Sequence, residues 1–305
     1  MSKFSAWVKA SRLPAQLFIF PSLLLGQAAV VALGGSFSWL RFMVLFVLGL
    51  AIHFFIVYAN DYADYETDRL NQTFTPFTGG SRVLIEGLLT RHDLLKGTFA
   101  MLGVVAVLTS VLAFISDSIQ PLVWGLGGLL LMQAYSFKPI HLSYRGLGES
   151  LQMLGVGIVL PILGFTAQGG TVMDAPWVLL LALLPAQLAM AFGTSLPDEP
   201  SDRLSQKRTS AVLLGVRNAA LVMVTLFIVT WVSVAQAIDL SSLPLLFLGL
   251  ILMNLVWIGL QFYFAWKPTT LPGTPAMFFL TALSILANTW LVFVLSAALF
   301  QGAVL

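Results

Sequence analysis

The sequence predicts an all-α integral membrane protein of nine transmembrane helices, and three observations carry that prediction. Apolar residues make up 58% of the chain and charged residues 9%, whereas a soluble domain is about a quarter charged. The apolar stretches run about 20 residues, enough to cross a hydrocarbon core of roughly 30 Å as helices, and they lack the two-residue alternation of membrane strands. Lysine and arginine gather in every second connection, as the positive-inside rule requires of a multi-span chain.

In chain order the spans fall at approximately 14–34, 38–59, 93–115, 120–137, 147–168, 175–196, 213–237, 244–266 and 275–302. Lys3, Lys9 and Arg12 precede the first, and Arg69, Arg82 and Arg91 lie between the second and third. Lys138 and Arg145 follow the fourth, Arg203, Lys207 and Arg208 the sixth, and Lys267 the eighth. Only Arg41 falls clearly on the other side. The amino terminus is therefore expected in the cytoplasm and the carboxyl terminus outside. The first apolar run ends without a small-residue cleavage site, so it reads as a retained helix rather than a signal peptide. There is no cysteine, which excludes disulfides and thiolate metal ligands. No linker divides the chain, so residues 1–305 read as one membrane domain. Gly125, Gly127, Gly128, Gly155 and Gly157 suit close helix packing.

Charge concentrates at Asn60-Asp61-Tyr62-Ala63-Asp64-Tyr65-Glu66-Thr67-Asp68, directly after the second span. Continued as a helix, Asn60, Asp61, Asp64 and Asp68 share about a third of the circumference, with Glu66 opposite. Carboxylates brought that close stay ionised together only around a cation. Mg²⁺ suits a sparse acid cluster, because it keeps several waters and takes one or two carboxylates plus substrate phosphates. A solvated helix end is the plain alternative for one such motif, and the sequence holds two. At a constant offset DYETDRLNQ, residues 64–72, matches DEPSDRLSQ, residues 198–206, at Asp, Asp, Arg, Leu and Gln. Each copy follows an apolar run, which implies two four-helix pseudo-repeats plus a ninth helix, with both acid pairs facing one site. Pro197 and Pro200 make a regular helix unexpected in the second copy.

The connections on the same side supply counter-charges. Gly79 and Gly80 permit backbone conformations in which successive N–H groups face an anion, and Arg82 adds a charged donor. Lys138 and Arg145 either hold phosphate oxygens or anchor the chain to the cytoplasmic face. Tyr135 and Tyr144 are interfacial residues or aromatic walls beside a reactive cation. His53, inside the second span, is expected to be neutral, hydrogen-bonded and near the cavity. His92 and His141 have no ligand spacing with one another, so zinc is not expected.

On these residues the chain resembles the UbiA superfamily of intramembrane prenyltransferases, over nearly its whole length. The NDxxDxxxD form at Asn60 to Asp68 and the DxxxD form at Asp198 to Asp202 carry the resemblance. It implies that Asn60, Asp61, Asp64, Asp68, Asp198 and Asp202 bind the Mg²⁺-diphosphate of an isoprenoid substrate, with Asp64, Asp68, Asp198 and Asp202 as the catalytic acids. Gln206-Lys207-Arg208-Thr209 resembles the family's GKRT-type continuation, with Gln206 in place of glycine. GGSRVLIEG at 79–87 and SYRGLGE at 143–149 resemble the menaquinone-type branch, which prenylates 1,4-dihydroxy-2-naphthoate. Arg12-Leu13-Pro14 stands where an RP pair is common, and Tyr135 and Lys138 are closer together than in the YxxxK motif of the hydroxybenzoate branch.

The resemblance implies ionisation of an allylic polyprenyl diphosphate and alkylation of an aromatic acceptor, with anion-stabilising or acceptor-binding roles open to Arg12, Arg82, Tyr135, Lys138, Tyr144, Arg145, Lys207 and Arg208. The expected setting is a prokaryotic inner or plasma membrane with the site facing the cytoplasm. No nucleic-acid or protein partner is expected. A UbiA-type enzyme acting on 4-hydroxybenzoate or homogentisate is the nearest alternative. A cation-coupled transporter is the alternative from another class, although it would place its acids near the midplane rather than at one boundary.

Overall fold

The computed structural model describes residues 2–239 and 243–302, and every long element among them is a helix. The carboxyl-terminal residues 303–305, expected outside the cell, are beyond the described residues. Helix α1 (Lys3–Ala10) leads into α2 (Gln16–Ala32), followed by α3 (Trp39–Ala63), the short α4 (Tyr65–Leu70), α5 (Arg91–Ile115) and α6 (Gln120–Ser136). The second half begins with α7 (Gly148–Leu154), a π turn over Gly155–Val159 and α8 (Leu160–Ala167). It continues through α9 (Trp177–Ser195), α10 (Glu199–Leu204), α11 (Ser210–Leu214), α12 (Val216–Ala237), α13 (Leu245–Trp266) and α14 (Pro275–Phe300).

Helix starts follow local chemistry. Thr90 and Asp93 form a reciprocal capping box on α5. Proline occupies the first turn of α6, α10 and α14, where its missing N–H costs nothing.

Among the described residues eight helical runs are long and apolar enough to cross a membrane, where the sequence predicts nine. The difference is α6, whose 17 residues span about 25 Å.

The long helices form a closed ring. Each packs on the next, from α2 to α3, α5, α6, the α7–α8 pair, α9, α12, α13 and α14, and α14 returns to α2. The order of neighbours repeats between halves: α3 packs on α5 as α9 packs on α12, and α5 on α6 as α12 on α13. The close crossing of α2 on α8 uses glycines that spacing does not reveal. A methyl group at Gly26 would fall on Pro161 O, and one at Gly164 on Leu23 O.

Arg41, alone on its side in sequence, has a structural task there. Its guanidinium donates to Ile115 O at 3.0 and 3.3 Å and to Gln168 O at 2.9 Å, satisfying carbonyls at the ends of α5 and α8.

Candidate functional site

The two acid segments adopt the same backbone. Asp64 closes α3 and opens α4, and Asp198 opens α10. Asp68 N–H donates to Asp64 O at 2.9 Å, and Asp202 N–H to Asp198 O at 2.9 Å, so each pair sits one helical turn apart. The second copy is thus a helix after all: Pro200 falls in its first turn, where proline is tolerated. Helices α4 and α10 pack against each other, which brings the four aspartates to one end of the bundle.

Reading Asn60 to Asp68 as one continuous helix does not hold, because α3 stops at Ala63. Asp61 stays near Asp68 but is engaged by other partners. Ser81 N–H donates to both of its oxygens at 3.2 Å, the Ser81 hydroxyl also donates, and Arg12 Nη1 lies 3.8 Å off. Asp61 does not line the cavity that the other four acids share.

That cavity has a volume of about 280 Å³. Its polar end carries Asn60, Asp64, Asp68, Asp198, Asp202 and Lys207, and apolar side chains from Phe55 and Met132 to Trp124 and Leu163 line the rest. His53 lines it too, with Nε2 2.6 Å from Ser11 O.

Each copy's leading acid is held by the other copy's loop. Lys207 Nζ donates to Asp64 Oδ2 at 2.9 Å. In return Asn71 Nδ2 donates to Asp198 Oδ1 at 2.8 Å, and Gly79 N–H to Asp198 Oδ2 at 3.2 Å. The glycine backbone therefore faces anions, as expected, but they are the protein's own carboxylates. Gly79 and Gly80 have φ of 76° and 71°, and a methyl group at Gly80 would fall on Asp68 Oδ2. Gln206, standing where the GKRT pattern has glycine, takes the left-handed φ of 62°.

Asp68 and Asp202 are held by no ion pair or backbone N–H among the described residues. Burial, reinforced by Asp64, Asp61 and Asp198, pushes the Asp68 carboxyl well above its ordinary range. Asp202 is pushed up to about 7 by burial, and burial also raises Asp198. Burial alone would lower the Lys207 ammonium, but Asp64 and Asp202 outweigh it and hold it well above its usual value.

Of the expected substrate-binding residues, Arg12, Tyr135 and Lys207 line the cavity, and Arg82, Lys138, Tyr144, Arg145 and Arg208 do not. Arg82 caps α4 instead: its Nη1 donates to Asp68 O at 2.6 Å and Asn71 O at 3.0 Å, and its guanidinium lies 4.4 Å from the centre of the Phe74 ring. Arg145 is exposed and donates to Pro139 O at 2.8 Å, while Lys138 and Arg208 are exposed. Tyr144 stands behind the cluster, with its hydroxyl 2.6 Å from Thr67 Oγ1 and Lys207 Nζ 5.4 Å from its ring centre. Sequence reasoning missed Asn71, a single amide in a polar loop, and Glu149, which lines the cavity and accepts Ser210 N–H at 2.7 Å.

The donor set suits a hard divalent cation. Asp64 Oδ1 is buried without a hydrogen-bond partner, and the raised carboxyls need positive charge to ionise together. Among the described residues no three acidic or histidine side chains close around one point as a complete cage. Such a partial set matches Mg²⁺, which completes its shell with water and substrate phosphate.

The UbiA prenyltransferase family model matches residues 19–283. A UbiA homologue from Archaeoglobus fulgidus bound to GPP and Mg²⁺ superposes with a TM-score of 0.67 at 15% identity, covering 97% of this chain and 99% of that one. A UbiA homologue from Aeropyrum pernix K1 gives 0.69 at 15% identity, covering 92% and 97%. A digeranylgeranylglyceryl phosphate synthase gives 0.65 at 16% identity, covering 99% and 100%. Curated protein sequences give no match. The solved structures share the fold, the family model spans most of the chain, and the chain belongs to the UbiA prenyltransferase family.

Proposed function

We propose that this prenyltransferase transfers a polyprenyl group from an allylic diphosphate to an aromatic acceptor, with Mg²⁺ held by Asn60, Asp64, Asp68, Asp198 and Asp202. The observation that carries this reading is the pair of equivalent acid helices packed together at the polar end of one apolar cavity. The Mg²⁺ ligand of the Archaeoglobus homologue supports it. When bound, the metal supplies positive charge to the diphosphate as the carbon–oxygen bond breaks. Lys207, already beside Asp64, adds a donor for the leaving pyrophosphate. The apolar wall holds the prenyl tail and keeps water from the allylic cation.

The acceptor best supported is 1,4-dihydroxy-2-naphthoate, on the likeness of residues 79–87 and 143–149 to the menaquinone-type branch. Its carboxylate needs a cationic partner. Both guanidiniums donate to a backbone carbonyl, Arg12 to Phe77 O and Arg145 to Pro139 O, but Arg12 lines the cavity and Arg145 does not, so Arg12 is the better partner. We further infer a single domain over residues 1–305, α6 as the ninth crossing, and an active site facing the cytoplasm of a prokaryotic cell. In this cysteine-free chain Ser118→Cys should then label from outside intact cells and Gln72→Cys should not; the reverse pattern contradicts the orientation.

Mass spectrometry of products tests the reaction. Purified protein is offered prenyl diphosphates with the naphthoate, 4-hydroxybenzoate, homogentisate and, because one structural neighbour is named for it, a prenylglyceryl phosphate. The expected product is the prenylated naphthoate-derived ring. Prenylation of another acceptor in preference to the naphthoate removes the menaquinone assignment and leaves the family activity in place.

A further inference from the structure

Five carboxylates line the cavity, and four of them, Asp64, Asp68, Asp198 and Asp202, belong to the two acid segments. The fifth is Glu149, in the first turn of α7, 8% exposed. Its Oε1 accepts Ser210 N–H at 2.7 Å, which caps the start of α11. No other hydrogen bond or ion pair holds the carboxylate among the described residues, so Oε2 is uncommitted. Gln152, three residues on, lines the same cavity, and Gly148 brings α7 against the Tyr135 ring. The titratable groups on elements packed against α7 are Tyr135 of α6 and Tyr144 of the Leu142–Tyr144 turn, and Asp202 and Lys207 line the same cavity.

We propose that Glu149 is the proton acceptor for the hydroxyl group of the aromatic acceptor, an inference that rests on the transfer reaction above. A neutral phenol attacks an allylic cation far less readily than its anion does, so a base within hydrogen-bond reach of the hydroxyl assists the step. With the acids of the two segments assigned to the metal in the reading above, Glu149 is the remaining carboxylate on the wall, and one of its oxygens is uncommitted. In the step, the acceptor O–H bond breaks and its proton passes to Glu149 Oε2. The electron pair left on oxygen feeds through the ring to form the new carbon–carbon bond, and the allylic carbon–oxygen bond breaks with its pair leaving on pyrophosphate. The neutral ketone so formed regains aromaticity when the alkylated carbon loses its hydrogen as a proton to pyrophosphate and Glu149 returns its proton to the oxygen.

Glu149→Gln separates this role from capping, because an amide carbonyl still accepts Ser210 N–H but takes no proton. Wild type, E149Q and E149D are assayed on a series of acceptors made progressively more acidic by ring fluorination. E149Q should lose roughly 100-fold or more in kcat on the parent acceptor, with KM for the prenyl diphosphate within about twofold. The loss should shrink below about tenfold once the acceptor is already ionised at the assay pH. E149D, whose carboxyl group is withdrawn by one methylene, should show the same trend at smaller amplitude. A loss of the same size on every acceptor in either variant, or E149Q turnover within about threefold of wild type on the parent, overturns the proposal. Wild-type protein inactive on the whole series overturns the transfer reading and this inference together, whereas active wild type with an indifferent E149Q overturns this inference alone.

Discussion

The segments at 60–71 and 194–209 share a backbone and differ in what holds them. In the first, Asp64 is paired with a lysine from the second; in the second, Asp198 is held by an amide and a backbone N–H from the first. The leading acid of each copy is thus tied to the opposite loop, and the trailing acids, Asp68 and Asp202, carry raised carboxyls. The two acid helices are alike in length and start, and the loops that hold them make them unequal. The leading acids fasten the halves together, and the trailing acids depend most on a cation.

Removing the lysine breaks that cross-connection most severely. Lys207→Met leaves Asp64 buried, at 3% exposure, without its partner, and should destabilise the metal-free protein by about 3–5 kcal/mol. Adding Asp64→Asn should recover most of this, as read by thermal unfolding in detergent. No recovery would mean that Lys207 stabilises the fold through something other than Asp64.

The trailing acids should behave in the opposite sense. Asp68→Asn and Asp202→Asn should each lower turnover by roughly 10²–10³-fold, yet leave the metal-free protein as stable or more so, because each removes a repelled buried charge. A destabilised Asp202→Asn protein would show that Asp202 has a stabilising protein partner.

A pH dependence follows with a definite sign. An aspartate raised to about 7 in the folded protein, against about 3.9 unfolded, binds more protons folded than unfolded between those values. Metal-free stability should therefore fall as pH rises from about 4 to 7, the penalty being complete above about 7 and absent below about 4. Asp68 and Asp198 act in the same direction. Mg²⁺ should flatten the profile, and Asp202→Asn should reduce its slope; a metal-free profile rising over this range contradicts the raised carboxyls.

The smallest effect is expected at Arg145. Exposed and turned to Pro139 O, it should tolerate alanine within about 0.5 kcal/mol and without a selective rise in the acceptor KM. A selective rise would place the acceptor outside the cavity described here.

Much of this was legible in the sequence. The span expected at 93–115 is Arg91–Ile115, and that at 244–266 is Leu245–Trp266, because hydropathy reports the lipid-facing and core-facing surface directly. The repeat was legible because it preserves spacing. Its second helix was not, since Pro200 reads as a breaker until its place in the first turn is known. The six-residue α4 was hidden because nothing in Asp64 itself announces a helix end. Loop cations were the least legible. Arg82, Arg145 and Lys207 look alike in sequence, and only tertiary structure sends one to carbonyls at the end of α4, one to Pro139 and one to Asp64. Glu149 gave one signal, its place as the last residue of the SYRGLGE resemblance, but nothing in that pattern says it lines the same cavity as Asp198 and Asp202.

The central claim is that both acid pairs serve one metal-diphosphate site, and binding of a non-ionising prenyl thiodiphosphate tests it most directly. Affinity is measured against Mg²⁺ concentration for wild type, Asp68→Asn, Asp202→Asn and the double variant. One shared site predicts that each single variant loses most of the Mg²⁺ dependence and that the double variant binds no worse than the weaker single. Two independent sites would let either single variant keep a normal Mg²⁺ dependence, or make the two losses multiply in the double variant, and either result would contradict this account.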